Sequence, residues 1–246
     1  MSTSQPDILL LQARQPGDAM LDHELRCFAS RCGLEPAAFE SVNMVDEPLG
    51  VHLLADVDAV MVGGAGEFSV AKGGFDWHQP LLDLMKLIAR KQMPMFGSCF
   101  GFQAIVQAFG GRVETRPDMG EVGTYEVRLT EEGRQDPIFG AHPDRFDAQF
   151  GHNDSVIDLP DEFVWLASSK RCNYQAIRFR DAPIVATQFH PELCAEDNMQ
   201  RYIAYLKNYE AGALDDQQAR DKARQMHRPS PYASQLLREF VDELLG

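Results

Sequence analysis

The chain predicts an α/β protein: a mostly parallel central sheet flanked by helices, with a small antiparallel addition and a C-terminal helical extension. Three observations carry this. Short apolar runs at residues 7–11, 39–45 and 57–62 alternate with segments of helical period, the order of a β–α–β protein. Residues 93–96 form another apolar run that passes directly into a glycine-flanked turn and a helix. Between residues 125 and 186 the pattern changes to short strand-like runs with intervening turns, the signature of an antiparallel addition.

Taken in order, residues 7–11 predict a first strand and residues 20–31 an amphipathic helix that Gly33 ends. Strands follow at 39–45 and 57–62. Residues 77–91 place Leu81, Leu84, Met85 and Ile88 at i, i+3, i+4 and i+7, which is the apolar stripe of a helix. After the strand at 93–96 and its turn, residues 104–109 continue as a helix ended by Gly110 and Gly111. The strand-like runs are 125–129, 146–150, 163–167 and 175–179, and the apolar strand 184–187 returns the chain to the main sheet. The domain proper is assigned to residues 1–205 and the extension to 206–246. Within the extension, residues 212–225 are charged and helix-prone, Pro229 and Pro231 break the chain, and residues 234–245 repeat apolar side chains at Leu236, Leu237, Phe240, Val241, Leu244 and Leu245. Such a stripe is expected to pack back on its own domain.

The densest chemical signal is Gly97-Ser98-Cys99-Phe100-Gly101-Phe102-Gln103 at the junction of strand and helix. A cysteine two residues from a glycine on either side fits a sharp strand-to-helix elbow, the thiol counterpart of the serine-hydrolase elbow. The turn leaves no room for a Cβ at Gly97 or Gly101, and it stands Cys99 at a helix N-terminus, where unpaired amides favour a thiolate. A thiol nucleophile also needs a base and an acid that orients that base. Gln188-Phe189-His190-Pro191-Glu192, at the end of strand 184–187, offers both. His190 and Glu192 are two residues apart, so their side chains can leave a strand end on the same side.

Together these motifs resemble the class I, or triad, glutamine amidotransferases, whose fold is flavodoxin-like. A third element fits the resemblance: the strand at Asp58–Val62 runs into Gly63-Gly64-Ala65-Gly66-Glu67. The resemblance implies Cys99 as nucleophile, His190 as base and Glu192 as its partner. It implies an oxyanion hole built from the backbone amides of Gly64 and Phe100, a need set by the oxygen that becomes negative on attack. Gly66, Gln103, Gly151 and His152 are implied to contact the substrate; Gly151 and His152 belong to Phe150-Gly151-His152-Asn153-Asp154-Ser155-Val156, where the family has a Ser-His-x-Asp-x-Val segment. Gly151 replaces a small polar residue there, so only its backbone carries over, and His152 reads as structural rather than as a second base. Two further departures are Ala65, where many members have proline, and Ser98, where an aliphatic residue is common.

The glycine-rich turn matches neither nucleotide-binding pattern, and no cofactor or metal is expected. A formal charge of −14 over 246 residues argues against nucleic acid, which demands clustered cations. No run is long and apolar enough to cross a membrane, and residues 1–20 lack the features of a secretory signal. The five cysteines have no zinc spacing and suit a reducing cytoplasm, with Cys27 and Cys32 as packing residues. Phe75, Trp77 and His78 either border the pocket or pack in the core.

The expected activity is hydrolysis of the L-glutamine side-chain amide, with ammonia passed to water or to a synthase partner on another polypeptide. The alternative is a stand-alone γ-glutamyl hydrolase with the same three residues and a larger amine leaving group. A third reading is a binding or regulatory subunit that docks through its acidic surface and last helix.

Overall fold

The computed structural model describes residues 5–210 and 214–245. Its strands are β1 (Ile8–Ala13), β2 (Phe39–Asn43), β3 (Ala59–Ala65), β4 (Met95–Ser98), β5 (Arg112–Thr115), β6 (Glu121–Leu129), β7 (Arg145–His152), β8 (Asp154–Asp158), β9 (Phe163–Ser169), β10 (Ala176–Phe179) and β11 (Ile184–Thr187). Its helices are α1 (Met20–Cys32), α2 (His78–Arg90), α3 (Phe100–Ala108), α4 (Glu131–Gln135), α5 (Ala195–Ala204), α6 (Leu206–Tyr209), α7 (Asp216–Met226) and α8 (Leu236–Leu245).

Nine strands form one mixed sheet in the order β2-β1-β3-β4-β11-β10-β9-β6-β7. The first five are parallel to their neighbours, and the remaining four join antiparallel. The parallel half has the doubly wound order 2-1-3-4-5, whose ligands bind at the carboxyl ends of the strands. The glycine-rich stretch ends β3, Cys99 follows β4, and His190 follows β11, so three adjacent parallel strands deliver all three motifs to one edge.

Parallel strands covered on both faces must be apolar on both, and β1 is buried along its whole length. Alternate residues feed two cores. Leu9, Leu11, Val60 and Val62 pack with α2 and α3, whereas Ile8, Leu10, Met61 and Phe96 pack with α1 and α8. Gly33 terminates α1 in the left-handed region, at φ 67°, a conformation that costs a residue with a Cβ and not glycine.

Several expectations need correction. The stretch Gly63–Ala65 continues β3 as strand, and the chain turns only after it. The helix predicted from Ala104 begins at Phe100, directly after the elbow. The strand-like runs of the middle are longer than predicted: β6 starts at Glu121, and β7 reaches His152. A separate two-stranded sheet, β5 with β8, went unforeseen because each strand is short and pairs only across a long interval of sequence.

The last helix lays Leu236, Leu237, Phe240 and Val241 into the core beside α1, with Phe240 meeting Phe96 edge to face at 5.5 Å. The side chains of Leu244 and Leu245, from the same predicted stripe, lie outside the described residues, as does Gly212 at the start of the charged segment. That segment forms α7, where Asp215 and Gln218 make a capping box. Because Phe240 is 2 % exposed, Phe240→Ala is expected to destabilise the fold by about 3–5 kcal/mol. Urea unfolding monitored by circular dichroism measures this, and a change below about 1 kcal/mol would show that α8 contributes little to the core.

Candidate active site

The elbow geometry follows from its two glycines. A Cβ on Gly97 would stand 2.9 Å from the Gly101 carbonyl carbon, and one on Gly101 would stand 2.6 Å from the Val62 carbonyl oxygen on β3. Neither obstacle can move without shifting backbone, so the turn admits only glycine at both places. Cys99 itself sits at φ 49° and ψ −91°, a strained conformation for a residue with a side chain. Its N–H donates to Thr187 O at 2.7 Å, which fastens the elbow to the end of β11.

Cys99 opens onto a cavity of about 300 Å³ that is also bordered by Gly66, Phe100, Gln103, Gly151 and His152. Gly64, His190 and Glu192 are not among the residues that line it, although His190 Nε2 comes within 3.9 Å of a Cβ built on the lining residue Gly151. His190 Nδ1 donates to Glu192 Oε1 at 2.7 Å in a fully enclosed pair. The carboxylate accepts only, so the shared proton resides on Nδ1, and Nε2 is left as the basic nitrogen. Ser98, the departure noted in the sequence, has a definite place: its hydroxyl donates to Glu192 Oε2 at 2.8 Å. An aliphatic residue there would leave that oxygen one partner short.

Behind Glu192 lies a set of buried charges that sequence reading missed. Arg201 reaches Glu192 Oε1 at 3.4 Å and Glu24 Oε1 at 3.1 Å, and its Nη1 is 3.3 Å from His190 Nδ1. Glu24 also accepts from Arg14 at 2.8 Å and from Gln12 at 3.0 Å. All of these side chains are nearly or wholly buried, so each charge depends on its neighbours. A clue to Glu24 was present: it shares the buried face of α1 with Met20, Cys27 and Phe28. Arg201 on α5 had no local signal.

The environment sets the protonation states. Burial pushes the Cys99 thiol up to about 12, although the Arg201 charge opposes it. The thiolate expected at the helix terminus is therefore outweighed by desolvation at rest. Burial also lowers the His190 pKa below its ordinary value, against the pull of Glu192, and keeps the imidazole neutral. Burial alone would raise Glu192, but His190, Arg201 and Ser98 together hold it below the usual carboxylate range.

Gln103 Nε2 donates to Asp154 O and Gln188 Oε1, both at 3.0 Å, and Gln188 Nε2 in turn approaches Cys99 Sγ at 3.5 Å. His152 has both ring nitrogens engaged, with Asp154 O at 2.8 Å and Glu121 Oε2 at 3.3 Å, which suits a structural role. The Gly64 N–H does not face the cavity; it donates to Glu24 Oε1 at 3.1 Å. Phe75, Trp77 and His78 do not border the cavity. The first two stack behind Phe68 and Phe100, which do, and His78 bonds to Gln107 at 2.7 Å.

Among the described residues, His23, Cys27 and Asp197 bring three potential metal donors within 4.8 Å of one another. Asp197 is already committed to His23 at 3.5 Å, Arg31 at 3.8 Å and the Cys194 N–H at 3.1 Å, and burial drives the Cys27 thiol upward. The cluster reads as part of the cap of α5, with Asp197 paired to Arg31.

A cysteine elbow, an enclosed His–Glu pair and a doubly wound sheet with an antiparallel wing define a cysteine amidohydrolase. Residues 21–206 match the family glutamine amidotransferase class-I, and the chain belongs to it. Among curated proteins it is 37 % identical over 102 residues to the glutamine-hydrolysing subunit of GMP synthase from Methanopyrus kandleri, covering 42 % of this chain and 53 % of that one. It is 32 % identical over 146 residues to the corresponding GMP synthase subunit of Methanothermobacter thermautotrophicus, covering 59 % and 71 %. The chain thus spans about half of the first relative, and 20 % of the whole GMP synthase of Thermosipho africanus. Among solved structures, a glutamine amidotransferase of Thermotoga maritima aligns with a TM-score of 0.70 at 20 % identity, covering 99 % of both chains, which shows the fold. No helix among the described residues is long and apolar enough to cross a membrane.

Proposed function

We propose that this chain hydrolyses the side-chain amide of L-glutamine through Cys99, His190 and Glu192, and releases ammonia for a synthase partner. The observation that carries the reading is the enclosed His190–Glu192 pair, which holds a neutral, correctly protonated base at the strand end next to the Cys99 elbow. The names of the relatives, glutamine-hydrolysing subunits of a synthase, support the destination of the ammonia.

In this reading Cys99 Sγ attacks the δ-carbonyl as His190 Nε2 takes the thiol proton. His190 then returns that proton to the departing nitrogen, so that ammonia leaves and a γ-glutamyl thioester remains. Water, deprotonated by His190, attacks the thioester and frees glutamate and the thiol. Burial holds the resting thiol protonated, so its proton must pass to His190 Nε2 for the sulfur to attack. Phe100, the first residue of α3, has a backbone N–H with no carbonyl partner inside the helix and supplies one oxyanion donor. The second, from Gly64, is held by Glu24 at rest, so the Gly64 peptide must turn toward the cavity when substrate binds. The lack of a Cβ at Gly64 permits that rotation.

The test is glutamate release from L-glutamine by the purified chain, with and without a candidate synthase, using Cys99→Ala as control. Cys99-dependent release supports the reading. Inertness toward glutamine under every partner condition would sink it.

A further inference from the structure

The cavity has a wall that the family match does not include. Residues 21–206 match the family, yet Asn208 and Tyr209 border the cavity beside Cys99. The short helix α6 lies across the cavity as a strap fastened on both sides. Asn208 Nδ2 donates to Gly66 O at 2.9 Å on the glycine-rich side, and Asn153 Nδ2 donates to Asn208 O at 3.3 Å on the other. Tyr209 Oη donates to Gly151 O at 3.3 Å. Behind it the Tyr202 ring stacks on the Tyr209 ring at 5.9 Å and 16°, and Tyr202 is itself 1 % exposed and bonded to Glu210 at 2.6 Å. The Tyr209 ring is therefore braced.

Its position matters because of what is next to it. A Cβ placed on Gly151 would stand 3.0 Å from Tyr209 Oη and 3.9 Å from His190 Nε2. Tyr209 and the basic nitrogen of His190 thus converge on one point over Gly151. The nitrogen that leaves the substrate takes its proton from that same Nε2 and must come within hydrogen-bond reach of it. Ammonia needs no further space there. A substituent on the leaving nitrogen would extend into the region that Gly151 and Tyr209 enclose.

We propose that Tyr209 is a specificity residue: its ring closes the leaving-group side of Cys99, admitting the primary amide of glutamine and excluding N-substituted γ-glutamyl amides. This rests on the glutamine-hydrolysing reading and names the part of the site that restricts its substrate. It also assigns a purpose to the glycine at 151, where any side chain would meet the Tyr209 hydroxyl.

The experiment compares kcat/KM for L-glutamine and for γ-L-glutamyl-glycine, both by glutamate release, in the parent chain, Tyr209→Phe and Tyr209→Ala. The parent is expected to favour glutamine. Tyr209→Phe keeps the ring and is expected to keep the preference, whereas Tyr209→Ala is expected to shift the ratio toward the dipeptide by about tenfold or more. Tyr209→Leu, which retains apolar contact with Tyr202, is expected to shift it in the same direction and serves if the alanine variant melts. An unchanged ratio in folded Tyr209→Ala or Tyr209→Leu overturns the proposal while glutamine hydrolysis stands. An equal shift in Tyr209→Phe overturns it too, since the hydroxyl rather than the ring would then set the preference. A parent chain that releases glutamate from neither substrate, with its synthase present, fails the underlying reading and the proposal with it.

Discussion

Replacing Cys99 by alanine is expected to lower glutamate release from L-glutamine by about 10⁴-fold or more, to the limit of detection, because no other group can form the thioester. The loss should fall on kcat, with glutamine still competing for the cavity, since the sulfur is one wall among several. Glu192→Gln should cost less, about 10³- to 10⁴-fold, because an amide can hold His190 in place but favours the wrong tautomer. Steady-state kinetics with a coupled glutamate assay decides the point. Substantial residual turnover in Cys99→Ala would remove the thiol from the mechanism.

Arg201 is expected to give the second large effect, and on two readouts. It is 5 % exposed and lies between Glu24 and Glu192. Arg201→Met leaves those carboxylates short of a cation in a dry site, which costs roughly 3–5 kcal/mol. It also removes the positive charge that helps hold the His190 pKa down, so the acid limb of kcat/KM should move to higher pH. The parent should retain activity below pH ~6.5, the ordinary histidine value, because its base stays neutral there. Arg201→Lys keeps a charge and should leave the acid limb near the parent's even where stability falls. Thermal melts beside a pH profile separate the two effects, and an acid limb that does not move in Arg201→Met would make Arg201 a purely structural residue.

The same groups set the acid sensitivity of the fold. Glu24 and Glu192 have folded pKa values below their ordinary ones, so the stability they contribute is present above about pH 4.3 and is lost as the pH falls through the folded values. His190 is also held below its ordinary value, so its protonation opposes folding once the pH drops beneath about 6.5. Both contributions have the same sign: acid weakens this site.

The fold class and the three principal side chains were legible in the sequence because each rests on a short-range constraint. Gly97 and Gly101 are required by a turn that closes within five residues, and His190 and Glu192 leave one strand end together, so the chemistry is written locally. Sheet polarity followed from the apolar runs, since strands buried on both faces can hold little else. Contacts between distant segments lay out of reach. Arg201 and Glu24 are 177 positions apart and read as ordinary helix charges until the packing of α1 and α5 takes both out of water. The Gly64 peptide was assignable by motif, but its attachment to Glu24 depends on where α1 packs. The strap that carries Tyr209 has no motif, and its meaning comes from lying across Gly66 and Gly151, residues that only the folded chain brings together. Local rules place Cys99, His190 and Glu192 at one sheet edge, while packing between remote segments sets their charge states and shapes the cavity beside Cys99.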